Sequence, residues 1–266
     1  MKNRIEQCFD ELKKARRKAM VAFVTAGDPN LKFTPQVAWT LEEAGVDILE
    51  LGMPFSDPMA DGPVIQKSNE RALKSGASLK GVLKAVEAIR KKSQLPILLM
   101  GYFNPLLQYG ISSFFEDAKG SGVDGMLLVD LPPEEGEETR RAAEQNGVSL
   151  IYLLAPTSDR KRIDLVRKKG SGFTYYVSLT GITGGAIKSQ PKLKDQLNLV
   201  MKGRRLPVCV GFGIKTPEQA REVAKLADGV VVGSAIVDCF ASGSPAQGLA
   251  KAKKLVSSLS KAVHSV

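Results

Sequence analysis

Carboxylates are the main candidates for acid–base chemistry in this chain of 266 residues, because histidine is nearly absent. The single histidine, His264, lies two residues from the C-terminus. The composition therefore argues against a Ser-His-Asp or Cys-His nucleophile and against a zinc or iron site ligated by histidine. A carboxylate that exchanges protons near pH 7 needs surroundings that raise its pKa.

The first candidate is Glu50, which lies in a short apolar run over residues 47–51. Side chains alternate along a strand, so Glu50 shares a face with Ile48, while Leu49 and Leu51 share the other face. If the two leucines pack under helices, Glu50 points into the mouth of a strand barrel, where lost hydration raises the pKa of its carboxyl. The alternative is a structural glutamate that pairs with a lysine or arginine at the rim.

The second candidate is the loop over residues 53–63, which carries Asp57 and Asp61 four residues apart. Three prolines and one glycine predict an irregular loop over the barrel mouth, and loops in such a place often carry function. Either aspartate could instead cap a turn or the next helix. Spacing alone does not choose between Asp57 and Asp61.

The third candidate is a set of glycines after the last three predicted strands: Gly181-Ile182-Thr183-Gly184-Gly185, Gly211-Phe212-Gly213 and Gly233-Ser234. Backbone N–H groups at such glycines, with a short helix predicted over residues 235–240, form a site for an anion. Phosphate binds after strands seven and eight in (β/α)₈ barrels. Plain turns are the alternative. Since no lysine lies inside the motifs, backbone amides would provide most of the recognition.

The elements that must position these residues alternate between strands and helices. Short runs that are apolar at almost every position are typical of parallel strands buried on both faces. Eight are predicted, over residues 20–24, 47–51, 97–100, 125–129, 150–154, 173–177, 208–210 and 230–232. Helical spacing predicts helices over residues 35–44, 79–90, 111–118, 134–146, 159–168, 193–201, 217–226 and 246–262.

Eight strand–helix units predict one domain over residues 1–266, a (β/α)₈ TIM barrel. An open doubly wound sheet is the competitor, but no GxGxxG motif follows the first strand. Residues 4–18 predict an extra N-terminal helix that closes the bottom of the barrel. Its apolar face carries Ile5, Cys8, Phe9 and Leu12.

The net charge of +10 and the three distant cysteines limit the function classes. Basic residues alternate with apolar ones at helical spacing, without a nucleic-acid module, so nucleic-acid binding is not expected. Cys8, Cys209 and Cys239 form no CxxC pair, which argues for a reducing cytoplasm and against a thiolate zinc site. No apolar run approaches the ~20 residues of a membrane span. We therefore expect a cytoplasmic protein that binds no metal and no membrane.

Motifs after most of the predicted strands together resemble one family, the tryptophan synthase alpha subunit, over nearly the whole chain. They are Phe23-Val24-Thr25-Ala26-Gly27-Asp28-Pro29, Leu49-Glu50-Leu51-Gly52-Met53-Pro54-Phe55-Ser56-Asp57-Pro58, Ala60-Asp61-Gly62-Pro63, Met100-Gly101-Tyr102, Asn104-Pro105, Asp130-Leu131-Pro132, Gly211-Phe212-Gly213-Ile214 and Gly233-Ser234-Ala235-Ile236-Val237. Each lies after the strand where the family has it.

The resemblance implies a retro-aldol cleavage of indole-3-glycerol phosphate to indole and glyceraldehyde 3-phosphate, with no cofactor in this chain. It implies that Glu50 is the general acid–base residue and that Asp61, rather than Asp57, is the second carboxylate, held against the indole N–H. The alternatives are a related barrel enzyme acting on another indole or anthranilate phosphosugar, and a silent partner that only regulates a beta subunit.

The resemblance also implies the binding residues and the partner. The indole pocket would be formed by Phe23, Met100, Leu127, Tyr175 and Phe212, with Thr183 orienting Asp61. The phosphate would bind Gly184, Gly213, Gly233 and Ser234. A beta subunit carrying pyridoxal phosphate would receive the indole in an alpha2beta2 heterotetramer, and its contacts would include Asp57, Pro58, Asn104, Asp130 and Pro132.

Overall fold

Eight parallel strands close into a barrel in chain order in the computed structural model, which describes residues 2–178, 191–211 and 213–266, without the side chains of residues 191–193. The last strand pairs with the first, so Ala19 lies opposite Gly229. The predicted fold is thereby confirmed. The strands are β1 Ala19–Thr25, β2 Ile48–Gly52, β3 Ile97–Gly101, β4 Gly125–Leu128, β5 Ser149–Leu154, β6 Thr174–Val177, β7 Val208–Gly211 and β8 Gly229–Val232.

Most of the helices cover the outer face of this barrel, and the first one closes its bottom. In the described part of the chain they are α1 Arg4–Lys14, α2 Thr34–Glu43, α3 Pro63–Lys74, α4 Leu79–Arg90, α5 Phe103–Tyr109, α6 Ile111–Ser121, α7 Glu137–Gln145, α8 Arg160–Lys169, α9 Pro191–Met201, α10 Pro217–Ala224, α11 Ser234–Val237 and α12 Pro245–His264. A 3₁₀ turn, Asp238–Phe240, follows α11. None of the helices described is long and apolar enough to cross a membrane.

The alternation of side chains divides the apolar core into two clusters. Leu49 and Leu51 pack in the outer cluster, between the strands and the helices. Ile48 packs in the inner cluster, inside the barrel, where Ile5 and Phe9 of α1 join it. The predictions that β2 turns its leucines outward and that an N-terminal helix closes the barrel are confirmed.

Residues of suitable type cap several of these helices. The side chains of Ser78, Asp159 and Thr216 accept hydrogen bonds from the first turns of α4, α8 and α10. Gly45 and Gly122 follow α2 and α6 with φ of 96° and 90°, a conformation that favours glycine.

Three predictions about the helices need correction. The N-terminal helix ends at Lys14, not at residue 18, because the chain turns through Arg16 with a φ of 54°. The helix expected over 134–146 begins at Glu137, after the Pro132-Pro133 pair. The helices α3 and α5 were not predicted, since both lie at the barrel rim and present short apolar faces.

The single histidine has a structural role at the end of the barrel opposite the mouth. Arg17 Nη2 lies 2.6 Å from His264 Nδ1, and because arginine can only donate, Nδ1 is the acceptor. His264 Nε2 therefore donates to Asp47 Oδ2 at 2.8 Å, and the same oxygen accepts from the Met20 N–H at 2.7 Å. This contact ties the C-terminal helix to the starts of β1 and β2.

We predict that Asp47→Ala lowers the free energy of unfolding by about 1–3 kcal/mol, because it leaves the Met20 N–H without its acceptor. Glu43→Ala is the matched control, since Glu43 pairs with Lys253 on an exposed surface at 2.8 Å and such pairs contribute about 0–1 kcal/mol. Urea unfolding of both variants is the measurement. Equal losses would contradict a specific role for Asp47.

Candidate active site at the barrel mouth

Glu50 lies on β2 inside the barrel with only 1% of its surface exposed. Neither of its carboxylate oxygens has a hydrogen-bond partner in the described part of the chain. Burial, followed by the nearby charge of Asp61, raises the pKa of Glu50 from its usual 4.5 to about 8. No lysine or arginine among the described residues pairs with Glu50, and the raised pKa keeps its carboxyl protonated at neutral pH.

Asp61 lies at the end of the β2–α3 loop, one residue before the N-cap of α3. Its Oδ2 accepts from Asn69 Nδ2 at 3.2 Å. Burial raises the pKa of Asp61 to about 6, and hydrogen bonds from Asn69 and Tyr102 oppose that rise. Asp61 therefore remains mostly ionised at pH 7, while Glu50 holds a proton.

Asp57, the other aspartate of the loop, lies outside the mouth. Its side chain is exposed and accepts from the Ser56 hydroxyl at 2.5 Å. It borders a separate surface hollow with Phe55, Pro58 and Met59. The two aspartates thus differ in environment, and of the pair only Asp61 borders the cavity that contains Glu50.

One cavity of about 910 Å³ occupies the barrel mouth. Its volume lies near the top of the range of roughly 300–1,000 Å³ that small-molecule sites span. Most of the residues predicted for the site line it: Phe23, Glu50, Asp61, Met100, Leu127, Tyr175, Gly213, Gly233 and Ser234. The predicted residues Thr183, Gly184 and Phe212 lie outside the residues that the structure describes.

Tyr175 contributes an aromatic wall next to Glu50. Burial, with the nearby carboxyl of Glu50, raises the pKa of its hydroxyl well above the usual range, so Tyr175 is neutral. A Cβ added at Gly211 would lie 2.5 Å from Tyr175 Oη. Gly211 therefore leaves the space that the tyrosine ring occupies.

A glycine corner, made of Gly213, Gly233 and Ser234, lies on the side of the mouth where β7 and β8 end. Gly213 has a φ of 76°, which an L side chain rarely adopts. Gly233 precedes α11, and a Cβ added there would lie 3.3 Å from Phe23 Cβ. Gly213, Gly233 and Ser234 all border the cavity.

Two residues that position Asp61 were not identified from the sequence. Tyr102, 3% exposed, accepts from the Ala60 N–H at 3.0 Å and also hydrogen-bonds Asp61. Its ring lies 5.2 Å from that of Phe55. Tyr102 belongs to one of the motifs that carried the resemblance, and this motif was the signal that could have identified it. Asn69 lies in the helix α3, which was not predicted, so the sequence gave no signal for it.

Among the residues expected to contact a partner, Asp130 and Pro132 border the mouth cavity, and Asp57 and Pro58 border the separate surface hollow. Asp57, Asn104, Asp130 and Pro132 are exposed, and Pro58 is half-buried. Asp130 also accepts from the Phe103 N–H at 2.8 Å, at the start of α5. No group of three or more histidine, cysteine or acidic side chains able to hold a metal occurs among the described residues.

The closed (β/α)₈ barrel, with a buried glutamate, a second carboxylate and glycines around one cavity at its mouth, has the architecture of a TIM-barrel enzyme. The family model described as "Tryptophan synthase alpha chain" matches residues 9–264. The chain belongs to the tryptophan synthase alpha chain family.

Individual proteins that are similar to this chain carry the name of the same family. The tryptophan synthase alpha chain of Geobacter sp. (strain M21) is 51% identical over 261 residues, which cover 98% of both chains. That of Caldanaerobacter subterraneus subsp. tengcongensis is 46% identical over 258 residues, covering 97% of this chain and 98% of the relative. The solved structure of tryptophan synthase subunit alpha from Legionella pneumophila str. Paris has a TM-score of 0.93 at 40% identity, covering 100% of both chains.

The pKa of Glu50 leads to a prediction about stability. Because that pKa is raised from 4.5 to about 8 on folding, the folded chain binds more protons than the unfolded chain between these pH values, and stability falls as pH rises through this window. We expect Glu50→Gln to stabilise the protein by up to about 3 kcal/mol at pH 7 and not at pH 4. Urea unfolding across pH tests this, with the exposed Glu43→Gln as control. A pH-independent difference would contradict it.

Proposed function

We propose that this chain is a carbon–carbon lyase that cleaves indole-3-glycerol phosphate to indole and glyceraldehyde 3-phosphate, in tryptophan biosynthesis. Membership of the tryptophan synthase alpha chain family supports the activity. The observation that carries the assignment of residues is the unpaired, buried carboxyl of Glu50 in the cavity.

Glu50 is the proton donor and acceptor in this proposal. Its protonated carboxyl donates to C3 of the indole ring, which makes the ring a leaving group. The carboxylate that remains takes the proton of the glycerol hydroxyl next to the scissile bond. As that hydroxyl becomes the aldehyde, the electrons of the carbon–carbon bond return to the ring, and Glu50 ends protonated as it began. A pKa of about 8 suits both transfers near neutral pH.

Asp61 is the electrostatic partner of the ring. Protonation at C3 places positive charge on the indole nitrogen, and an ionised carboxylate that accepts from the N–H stabilises it. The hydrogen bonds from Asn69 and Tyr102 favour the ionised form of Asp61. The two carboxyl groups therefore take different roles because their surroundings differ.

The rest of the cavity binds the substrate. Phe23, Met100, Leu127 and Tyr175 provide apolar walls for the indole ring, and Gly213, Gly233 and Ser234 lie where the phosphate would bind. Family resemblance adds Phe212 to the ring pocket, Thr183 to the orientation of Asp61 and Gly184 to the phosphate site.

The indole passes to a beta subunit, which carries the pyridoxal phosphate, in an alpha2beta2 assembly in the cytoplasm. This chain itself requires no cofactor for its step. The proposed contacts with the beta subunit are the exposed Asp57, Asn104, Asp130 and Pro132 and the half-buried Pro58.

We predict that Glu50→Gln lowers indole release from indole-3-glycerol phosphate by at least about a thousandfold while substrate still binds, because the amide cannot exchange the proton. The wild-type kcat/KM should be bell-shaped, with limbs near the pKa of Asp61 at about 6 and of Glu50 at about 8. Indole release is measured with and without a beta subunit, and Glu43→Gln is the control. Near-normal turnover of Glu50→Gln would remove Glu50 from the mechanism. If the wild type releases no indole even with the beta subunit present, the result would favour a chain that only regulates its partner.

We further predict that Gly213→Asp raises KM about tenfold or more, because a carboxylate beside the phosphate repels it. Gly203→Asp is a matched control, since Gly203 has a similar φ of 68° but does not border the cavity and has open space around it. An unchanged KM in Gly213→Asp would mean that the phosphate binds elsewhere.

A further inference from the structure

The helix α3, which carries Asn69, is held on the barrel by polar contacts. All twelve of its residues are described, and none of them belongs to either apolar core cluster. Its buried residues are Ser68, Asn69 and Ala72. Burial of apolar surface is not directional, whereas a hydrogen bond needs a defined distance and angle. The contacts of α3 therefore fix its position more closely than an apolar face would.

The first contact joins α3 to the end of β1 through two buried hydroxyls. Ser68 Oγ lies 2.6 Å from Thr25 Oγ1 and 2.8 Å from the carbonyl oxygen of Ile65. Because a carbonyl can only accept, the Ser68 hydroxyl donates to Ile65 and accepts from Thr25. The exposed fractions of Ser68 and Thr25 are 0% and 3%, so water does not compete for this bond.

The second contact is a two-pronged ion pair, one turn further along α3. Arg71 Nε donates to Asp28 Oδ1 at 2.9 Å, and Arg71 Nη2 donates to Asp28 Oδ2 at 2.6 Å. Asp28 follows β1 and is 7% exposed. The other charges that act on Arg71 are Asp238, in the turn after α11, and Glu70 on α3 itself. Two parallel hydrogen bonds fix the orientation of the guanidinium as well as its distance.

The third contact is made by Ser75, the C-cap residue of α3. Its hydroxyl shares one proton between the carbonyl of Gly27 at 3.0 Å and that of Ala72 at 2.8 Å. Ser68, Arg71 and Ser75 are three and four residues apart, so they lie on one face of the helix. We call this set of contacts the β1–α3 clasp; its pairs are Thr25–Ser68, Asp28–Arg71 and Gly27–Ser75.

Asp61 and Asn69 form one unit with α3. Asp61 lies one residue before Gly62, the N-cap of the helix. The backbone carbonyl of Asp61 accepts from Gln66 Nε2 at 2.8 Å, and its Oδ2 accepts from Asn69 Nδ2 at 3.2 Å. A displacement of α3 would therefore carry the Asp61 carboxylate with it.

The other groups near the Asp61 carboxyl belong to different elements. Tyr102 follows β3, and its hydroxyl hydrogen-bonds Asp61 and accepts from the Ala60 N–H at 3.0 Å. Glu50, on β2, is the titratable group whose charge interacts with that of Asp61. The distance from Asp61 to Tyr102 thus depends on where α3 is held. The pKa of Glu50 depends first on its own burial in the barrel and much less on α3.

We propose that Arg71, together with Ser68 and Ser75, is a positioning residue for the reaction, because the β1–α3 clasp holds the Asp61 carboxylate where the indole N–H binds. This inference rests on the proposed function. Among the described residues that line the cavity, none of the three occurs, so they act through α3 and not on the substrate. Since β1 also carries Phe23, one strand sets both a wall of the ring pocket and the carboxylate that faces the ring nitrogen.

Arg71→Lys tests the proposal, because it keeps a positive charge beside the buried Asp28 and removes the two-pronged geometry. We expect kcat/KM for indole release by the full-length chain to fall about five- to twentyfold. The acid limb of its pH profile, set by Asp61 at about 6, should move up by about half a unit or more, because the hydrogen bond from Tyr102 weakens. The alkaline limb, set by Glu50, should stay at about 8. A role in stability alone would lower the urea midpoint without moving one limb.

Three further variants complete the test. Arg71→Lys combined with Tyr102→Phe should move the acid limb no further than Tyr102→Phe alone, because both changes act on the same hydrogen bond. Ser75→Ala, at an exposed position that the fold tolerates, should move that limb in the same direction by a smaller amount. Arg140→Lys is the control, since Arg140 pairs with Glu137 and Glu144 within α7; it should leave both limbs unchanged.

An acid limb that stays in place in Arg71→Lys and Ser75→Ala, equal movement of both limbs, or additive shifts in the double variant would overturn the proposal. Failure of the proposed function is distinguishable, because it appears as no indole release by the wild type. In that case carbon-13 NMR of aspartate-labelled protein follows the Asp61 carboxyl directly, with Asp61→Asn to identify its signal. A higher titration midpoint in Arg71→Lys would support the clasp, and an unchanged midpoint would overturn it.

Discussion

The buried carboxyl of Glu50 is 1% exposed and receives no hydrogen bond from the described residues, so ionising it costs free energy that its surroundings do not return. In an open sheet with one face exposed to solvent, a short strand could turn such a side chain towards water. Here β2 is the second of eight strands in a closed barrel, and its other face is fixed by Leu49 and Leu51 against the helices. The closure of the barrel therefore keeps the pKa of the Glu50 carboxyl raised.

The second carboxylate depends on contacts between elements that are distant in sequence. Asp61 receives a hydrogen bond from Asn69 on α3 and another from Tyr102, which precedes α5. Tyr102 also accepts from the Ala60 N–H and packs against Phe55. Tyr102, which follows β3, thus holds the loop that carries Asp61 at two points, Phe55 and Ala60. The same loop leaves Asp57 exposed, which explains why two similar residues differ in their surroundings.

The barrel could be predicted from the sequence because strands buried on both faces appear as continuous apolar runs, and because the segments between them carry apolar residues at helical spacing. The orientation of Glu50 followed from the alternation of four residues. The choice between Asp57 and Asp61 did not follow from spacing, since it depends on Asn69 and Tyr102 in other elements. The helix that carries Asn69 was missed because its polar composition lacks the wide apolar stripe of the barrel-covering helices.

Burial keeps the carboxyl of Glu50 protonated at neutral pH. Infrared difference spectroscopy of the folded chain, compared with Glu50→Gln, measures the titration of this carboxyl through its C=O stretch. A protonated carboxyl signal that persists at pH 7 and disappears with a midpoint of about 8 is the predicted result. A midpoint near the usual 4.5 would contradict the account.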